Sequence, residues 1–321
     1  MTFKLARLLL FAAFVVSAPR AQAEPVEARS ATLRQARGER AHSGPRRIVS
    51  LNLCADQYLL ALADPGQIAA LGRFARDPAM SFAAGKARAF PVTRGNAEDV
   101  LLLRPDLILV GLGYRSDTLA AIGGRGIRIV ELPPASSYGE IVAQVRMVAR
   151  EIGHPARGEA LIRRMDAELA QVSVGLTQFR SSRAKSRDVS RTRSTPTGAE
   201  KASGPVAAYY QRRGYLTGTG TLVDEMMRRV GLRNLAASLD RPVLSRLSVE
   251  EMVAARPDYL IVENRRVVDR GTEMLRHPAL AAIPRIYLPE AWTVCGGPSY
   301  PFALRRLAEQ LRTAAVSSRS P

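Results

Sequence analysis

The segment Glu98–Val110, EDVLLLRPDLILV, returns in altered form as Glu250–Val262, EEMVAARPDYLIV, 152 residues further on. Five of the thirteen positions are identical: the leading Glu, the Arg-Pro-Asp triplet and the closing Val. Each copy reads as an apolar helix that runs into Arg-Pro-Asp and then into a β-branched and Leu-rich strand. The spacing is too long for a solenoid, whose units run to about 20–50 residues. It predicts two structurally similar lobes, and two similar lobes usually hold something between them.

The rest of the chain supports that division. After the strand Arg47–Leu51 comes a helix over Leu53–Ala63, then the strand Ile68–Leu71, the helix Glu98–Leu103 and the strand Leu107–Val110. A helix over Thr118–Ile122 and a strand over Arg128–Leu132 complete a first lobe at 46–136. Strands alternating with helices mean an α/β fold with mostly parallel sheets. A long helical stretch follows over 137–179, broken near Gly153 and Pro155; Ile141, Val145 and Val148 keep helical spacing, as do Leu161, Met165 and Leu169. Such a stretch suits a strut between lobes. The second lobe, 205–314, reads as the strand Val206–Tyr210, a Gly-rich turn, the helices Leu222–Val230 and Val249–Ala255, the strands Tyr259–Val262 and Arg285–Leu288, and a closing helix from Pro301 to Thr313, with a tail over 315–321.

The net charge of +18 invites a nucleic-acid reading, but much of the excess falls outside the lobes. Residues 24–45 read as a basic, aperiodic and disordered arm. Residues 180–204 read as a basic, flexible insertion rich in Ser, Arg and Thr, whose segment Arg180–Lys201 carries seven basic and two acidic residues without the aromatics that would stack on bases. Ahead of the arm, Lys4 and Arg7, the apolar run Leu8–Val16 and the triplet Ala21-Gln22-Ala23 predict a secretion signal cleaved after Ala23. The apolar run is too short for an anchor, so the expectation is an exported, non-membrane, monomeric protein.

Catalytic signals are thin. The three His (His42, His154 and His277) stand in poor contexts, with no Cys/His cluster at zinc spacing, no P-loop and no full dinucleotide fingerprint. Open α/β sheets present ligands at the carboxyl ends of their strands. In the first lobe those positions hold Asn52 and Cys54, Arg73 and Phe74, and Tyr114 and Arg115; in the second they hold Glu263 and Arg265, then Glu290, Trp292 and Cys295. Phe74, Tyr114, Tyr215 and Trp292 are candidates to grip a large flat or greasy ligand, and Arg73, Arg115 and Arg265 to hold its anionic groups. Glu98 and Glu250 open equivalent helices, where the helix dipole favours a carboxylate and where a partner bearing Arg could also be met.

With these residues in place, the chain resembles the periplasmic substrate-binding proteins of ABC importers, in the class with a rigid central helix that binds cobalamin, ferric siderophores or haem. The resemblance rests on RIVSLNLCADQYLLALAD (47–64), GNAEDVLLLRPDLILVGLG (95–113), YYQRRGYLTGTGTLVDEMMRRVGLRN (209–234), LSVEEMVAARPDYLIVE (247–263) and IYLPEAWTVCGGPS (286–299), and spans roughly 46–313. It implies two α/β lobes joined by one long helix, with a metal chelate, a corrinoid or a ferric siderophore, held in the cleft. It implies that Glu98 and Glu250 dock on Arg residues of the permease dimer. Trp292 and Phe74 fall where cobalamin binders carry cleft aromatics, whereas the His and Tyr ligands of haem binders are not evident. The class makes no bond and carries no cofactor of its own; an exported enzyme and a ligand-sensing module are the alternatives. Cys54 and Cys295 map to one cleft loop in each lobe. A disulfide across the site, one thiol approaching the bound metal, and two unpaired thiols are all open.

Overall fold

The computed structural model describes residues 44–114, 116–190, 204–263, 271 and 273–317. The expected secretion signal, most of the basic arm, Arg115 and Arg265 lie outside these residues. In the first half, β1 (Ile48–Ser50), β2 (Ile68–Gly72), β3 (Val92–Thr93), β4 (Leu107–Gly111) and β5 (Arg128–Leu132) form one sheet, β3-β2-β1-β4-β5. Every pair is parallel. The central strands are apolar without alternation because both faces are covered. Ile48, Leu107 and Leu109 pack with Tyr58, Leu59 and Leu62 of α1 (Leu53–Leu62) on one face. Val49, Ile108 and Val110 pack on the other with Val100 of α2 (Ala97–Leu102) and Ile122 of α3 (Ser116–Ile122).

Two helices follow, α4 (Tyr138–Glu151) and α5 (Pro155–Ser190). The break falls at the expected place, where Gly153 takes a left-handed backbone (φ +84°) and a side chain would meet the Gly44 Cα at 2.8 Å. Pro155 then begins the second helix, where its missing N–H costs nothing. That helix runs on to Ser190, so its end corrects the expected limit at 179 and takes in the start of the stretch read as a flexible insertion; residues 191–203 lie outside the described ones.

In the second half, β6 (Val206–Tyr209), β8 (Arg233–Asn234), β10 (Tyr259–Val262) and β11 (Arg285–Tyr287) form a second parallel sheet, β11-β10-β6-β8. An antiparallel ribbon of β7 (Tyr215–Thr217) and β9 (Leu244–Arg246) stands beside it, which the sequence reading did not foresee. The longer helices of this half are α6 (Leu222–Arg229), α7 (Val249–Ala255) and α8 (Tyr300–Ser317), with single turns at Leu235–Ser238 and Glu290–Thr293.

The strut is tied to both halves. The Arg157 guanidinium donates to the Leu62 carbonyl (2.6 Å) and to Asp64 (2.7 Å) at the end of α1. Towards α6 and α8, the Glu225 carboxylate accepts from the Tyr138 backbone N–H (3.0 Å) and from the Tyr300 hydroxyl (2.7 Å), while the Tyr138 hydroxyl donates to Asp166 (2.6 Å). Arg229 lies over both Tyr rings and pairs with Glu225 at 3.0 Å.

The thirteen-residue repeat has a structural cause for three of its five identities: the Pro, the Asp and the closing Val. Helix α2 is capped by Asn96, which accepts from the Asp99 N–H, and α7 by Ser248, which accepts from the Glu251 N–H while Glu251 returns to the Ser248 N–H. Both helices are followed by an Arg with left-handed backbone, Arg104 and Arg256, each at φ 45°. The following proline disfavours helical backbone at that position, so the helix cannot continue through it. The Asp of each triplet then holds the entry to the neighbouring strand. Asp106 accepts from the Arg46 and Arg47 N–H groups, and Asp258 from the Val206 N–H, at 2.7–3.0 Å. The closing Val110 and Val262 are buried strand residues. The leading Glu and the Arg side chains have no such work. Glu98 and Glu250 occupy the second position of their helices, exposed, and no described residue bonds to either.

Candidate functional site

The carboxyl edges of the two sheets face each other. Cys54, in the first turn of α1 just past β1, is joined to Cys295 of the second half by a disulfide with Cα atoms 5.2 Å apart. Of the three states open to this pair, the structure has the disulfide, and the free-thiol readings are set aside. Beside it the Tyr58 hydroxyl lies 2.6 Å from the Gly296 carbonyl and 2.9 Å from Gln144 Oε1 of α4. The loop can come so close because Gly296 has no side chain: a Cβ there would stand 2.5 Å from the Ala135 Cβ. Phe82 of the first half meets Trp292 edge-on (6.2 Å between centroids) and Phe302 at 5.1 Å.

On the first-lobe side, Asn52 is spent on structure. Its Oδ1 caps α1 through the Cys54 and Ala55 N–H groups, and its amide nitrogen lies where a Cβ on Gly111 would be, 2.4 Å away. Phe74 is 43 % exposed, with the Arg73 guanidinium 4.5 Å above its ring, and Leu112 beyond β4 is 64 % exposed. The Tyr114 hydroxyl donates to the Gly95 carbonyl (2.8 Å), linking the loops after β3 and β4, so this residue braces the wall.

On the second-lobe side, the Tyr209 hydroxyl closes β6 at 3.3 Å from both Glu263 Oε1 and Thr293 Oγ1. Arg212 stands between Glu263 (3.9 Å) and Glu290 (3.6 Å). Burial, with Glu290 beside it, pushes the Glu263 carboxyl above its usual range. Burial and the Glu263 charge push the Tyr209 phenol up as well, so it stays protonated. Trp292 is half-buried against the core and follows this group in the chain. Tyr215 stands on the β7–β9 ribbon instead, under the Arg246 guanidinium at 5.4 Å. That ribbon borders a separate cavity of about 530 Å³ lined by Arg213, Arg246 and Ser248.

The sequence reading placed Glu263 and Glu290 at strand ends without choosing them, and missed Tyr209, Arg212, Thr293 and Phe82. Tyr209 was hidden inside a strand pattern, and Phe82 sits in a stretch with no period. Only the strand-end rule applied to Glu263 and Glu290 would have pointed at this wall.

Behind the first-lobe wall, Asp56 is fully buried; one oxygen accepts from the Gly72 N–H (2.9 Å), and the Ser50 hydroxyl lies beside the carboxyl. Desolvation raises its pKa from 3.8 to about 7. The folded state therefore holds this proton to higher pH than the unfolded state. The associated stability is full below about pH 4 and is lost as pH rises through about 7. Asp56→Asn keeps the acceptor for Gly72 and removes the charge. We expect it to raise Tm at pH 8 by roughly 3–6 °C and to leave it nearly unchanged at pH 4, as measured by thermal melts at both values; an equal shift at both would contradict the assignment.

Comparison with known proteins agrees with this architecture. Residues 48–178 match the family model described as periplasmic binding protein. A cobalamin-binding protein of Halobacterium salinarum is 23 % identical over 220 residues, 68 % of this chain and 54 % of that protein, so the match spans about half the length of the relative. The apo periplasmic haem-binding protein RhuT from Roseiflexus sp. RS-1 is 25 % identical with a TM-score of 0.65, covering 85 % of this chain and all (100 %) of that one. A periplasmic haem-binding protein from Pseudomonas aeruginosa gives the same TM-score of 0.65 at 20 % identity, covering 84 % and 94 %. Over residues 48–178 the chain matches the periplasmic binding protein family, and its described residues carry the two-lobed α/β fold of solved periplasmic binding proteins.

Proposed function

We propose that this protein captures a metal chelate, a corrinoid or a ferric siderophore, in the cleft between its lobes and delivers it to the permease of an ABC importer. The observation that carries the reading is the pair of facing sheet edges, linked at their base by Cys54–Cys295, with Phe74, Leu112 and Trp292 around the opening. Parallel sheets bind ligands at those edges, and apolar and aromatic side chains there suit a large, flat, partly greasy molecule. Cobalamin- and haem-binding relatives support the class of ligand. The working compartment is the periplasm, reached through a leader removed after Ala23, and the protein itself makes or breaks no bond.

The braced strut limits closure, so release falls to the permease, which grips the exposed Glu98 and Glu250 and parts the lobes. The test is a titration of the purified 24–321 protein with cyanocobalamin, a panel of ferric siderophores and hemin. The chain has one Trp, so quenching reports on Trp292 alone. Saturable quenching by one of these at micromolar concentration or below supports the reading; silence towards all of them overturns it.

A further inference from the structure

We propose that the segment 73–83 is a lid on the cleft: its Phe82 ring covers the surface of Trp292 that the cargo takes, and the cargo enters by displacing it. The inference rests on the chelate reading above and adds the step that opens the site.

Phe82 reaches across from the first lobe to the single Trp of the chain. The two rings stand at 83° to each other, and Phe82 lies against Phe302 at a tilt of 41°. Edge-to-face and tilted pairs are favoured aromatic geometries, so they hold the segment down on the second lobe. Trp292 packs on the core on its other side, and both Phe82 and Trp292 are half-buried, which puts the pair at an opening rather than inside the core. A flat ligand that stacks on the indole needs surface that Phe82 covers, and the two cannot use it at once. The segment that carries Phe82 is built from short turns. Backbone bonds run from Ala75 to Gly72, Asp77 to Phe74, Met80 and Ser81 to Asp77, and Ala84 to Ser81, each three or four positions back. The Asp77 carboxylate accepts from the Ala79 N–H at 2.9 Å, and the Arg76 guanidinium ties the segment to its own lobe through the Phe90 carbonyl. A cluster of local turns moves as one body without breaking a sheet bond, which is how lids and compact surface loops open. Phe74, exposed at the opening, belongs to the same body, so a cargo that presses on Phe74 presses on the piece that carries Phe82. A site open for only part of the time binds with its affinity reduced by the open fraction, so loosening the lid strengthens binding.

The test compares the unaltered protein with Phe82→Ala and Phe82→Leu, using cyanocobalamin, ferrichrome and hemin as probes. Equilibrium dialysis gives the affinity through each probe's own absorbance, and stopped-flow mixing gives the rates. For whichever probe binds, Phe82→Ala is expected to bind at least about fivefold tighter through faster association, with dissociation changed less than twofold. Phe82→Leu keeps an apolar side chain at the junction, which guards the fold, and is expected to shift the same way by a smaller factor. Unchanged affinity in both variants overturns the lid and leaves the chelate reading standing. Weaker binding in both also overturns it, because Phe82 would then be part of the grip on the bound ligand. Tighter binding through slower dissociation alone overturns it as well, since a lid acts on entry. Binding of none of the three probes by any of the proteins overturns the chelate reading, and the lid falls with it.

Discussion

Cys54→Ser/Cys295→Ser is expected to lower the free energy of unfolding by about 3–5 kcal/mol and Tm by roughly 10 °C. The bond closes a loop of 241 residues, nearly the whole described chain, so the unfolded state loses an unusually large share of its conformations when it is present. The native state supplies a second reason. Cys295 is buried, and the loop that carries it is held against the first lobe by the Tyr58–Gly296 contact and by the Phe82–Trp292 edge-on pair. With the disulfide gone, those contacts alone keep the sheet edges at their separation, and ligand affinity is expected to fall with stability. Urea unfolding of the oxidised, reduced and double-Ser proteins measures the first effect, and Trp292 titration the second. Identical midpoints for oxidised and reduced protein would show that the lobes need no covalent tie. A thiol count on the native protein is the companion measurement, and two reactive thiols would remove the bond from the account.

The frame of the fold was legible because its signals are local. Central strands covered on both faces must be apolar throughout, so Leu107–Gly111 and Tyr259–Val262 could be read directly. The break between α4 and α5 was legible for the same kind of reason, since Gly153 and Pro155 act on the backbone at their own positions. The β7–β9 ribbon was not, because strands of three residues carry too few positions to show a period. Side chains of the candidate site divide the same way. Strand-end positions follow from topology, so Phe74, Trp292 and the two Cys were within reach. What each side chain does there depends on neighbours distant in sequence. Asn52 became a helix cap, Tyr114 a brace to Gly95, and Tyr215 a partner of Arg246 on another element. The group of Tyr209, Glu263, Glu290 and Thr293 needs three strand ends brought together, and no single segment of sequence displays it.

The repeat yields the second large effect. The Pro, the Asp and the closing Val are used by the fold in both lobes, and the capping groups that precede them differ, Asn96 in one and Ser248 in the other. Identical side chains that the fold does not use need another cause; the Arg side chains of the triplets are two such groups, and Glu98 and Glu250 are the other two: exposed, at the same helix position, and bonded to nothing described. If they meet Arg side chains of a permease dimer, each contact becomes a desolvated charge pair on docking, and truncating one partner of such a pair costs about 2–5 kcal/mol. Glu98→Ala/Glu250→Ala is then expected to abolish ligand uptake by the intact importer, and each single variant to reduce it at least tenfold. Ligand affinity by Trp292 quenching is expected to stay within twofold. The neighbouring carboxylate supplies the control. Glu251 is turned back onto the Ser248 N–H and Arg241, so Glu251→Ala loosens the start of α7 at a cost of about 1 kcal/mol and should leave uptake intact. Uptake lost in both cases would mean that the helix start, not the charge, matters. Uptake retained in the double variant would mean that the Glu is kept for the helix dipole alone, and that this pair is not how the protein meets its permease.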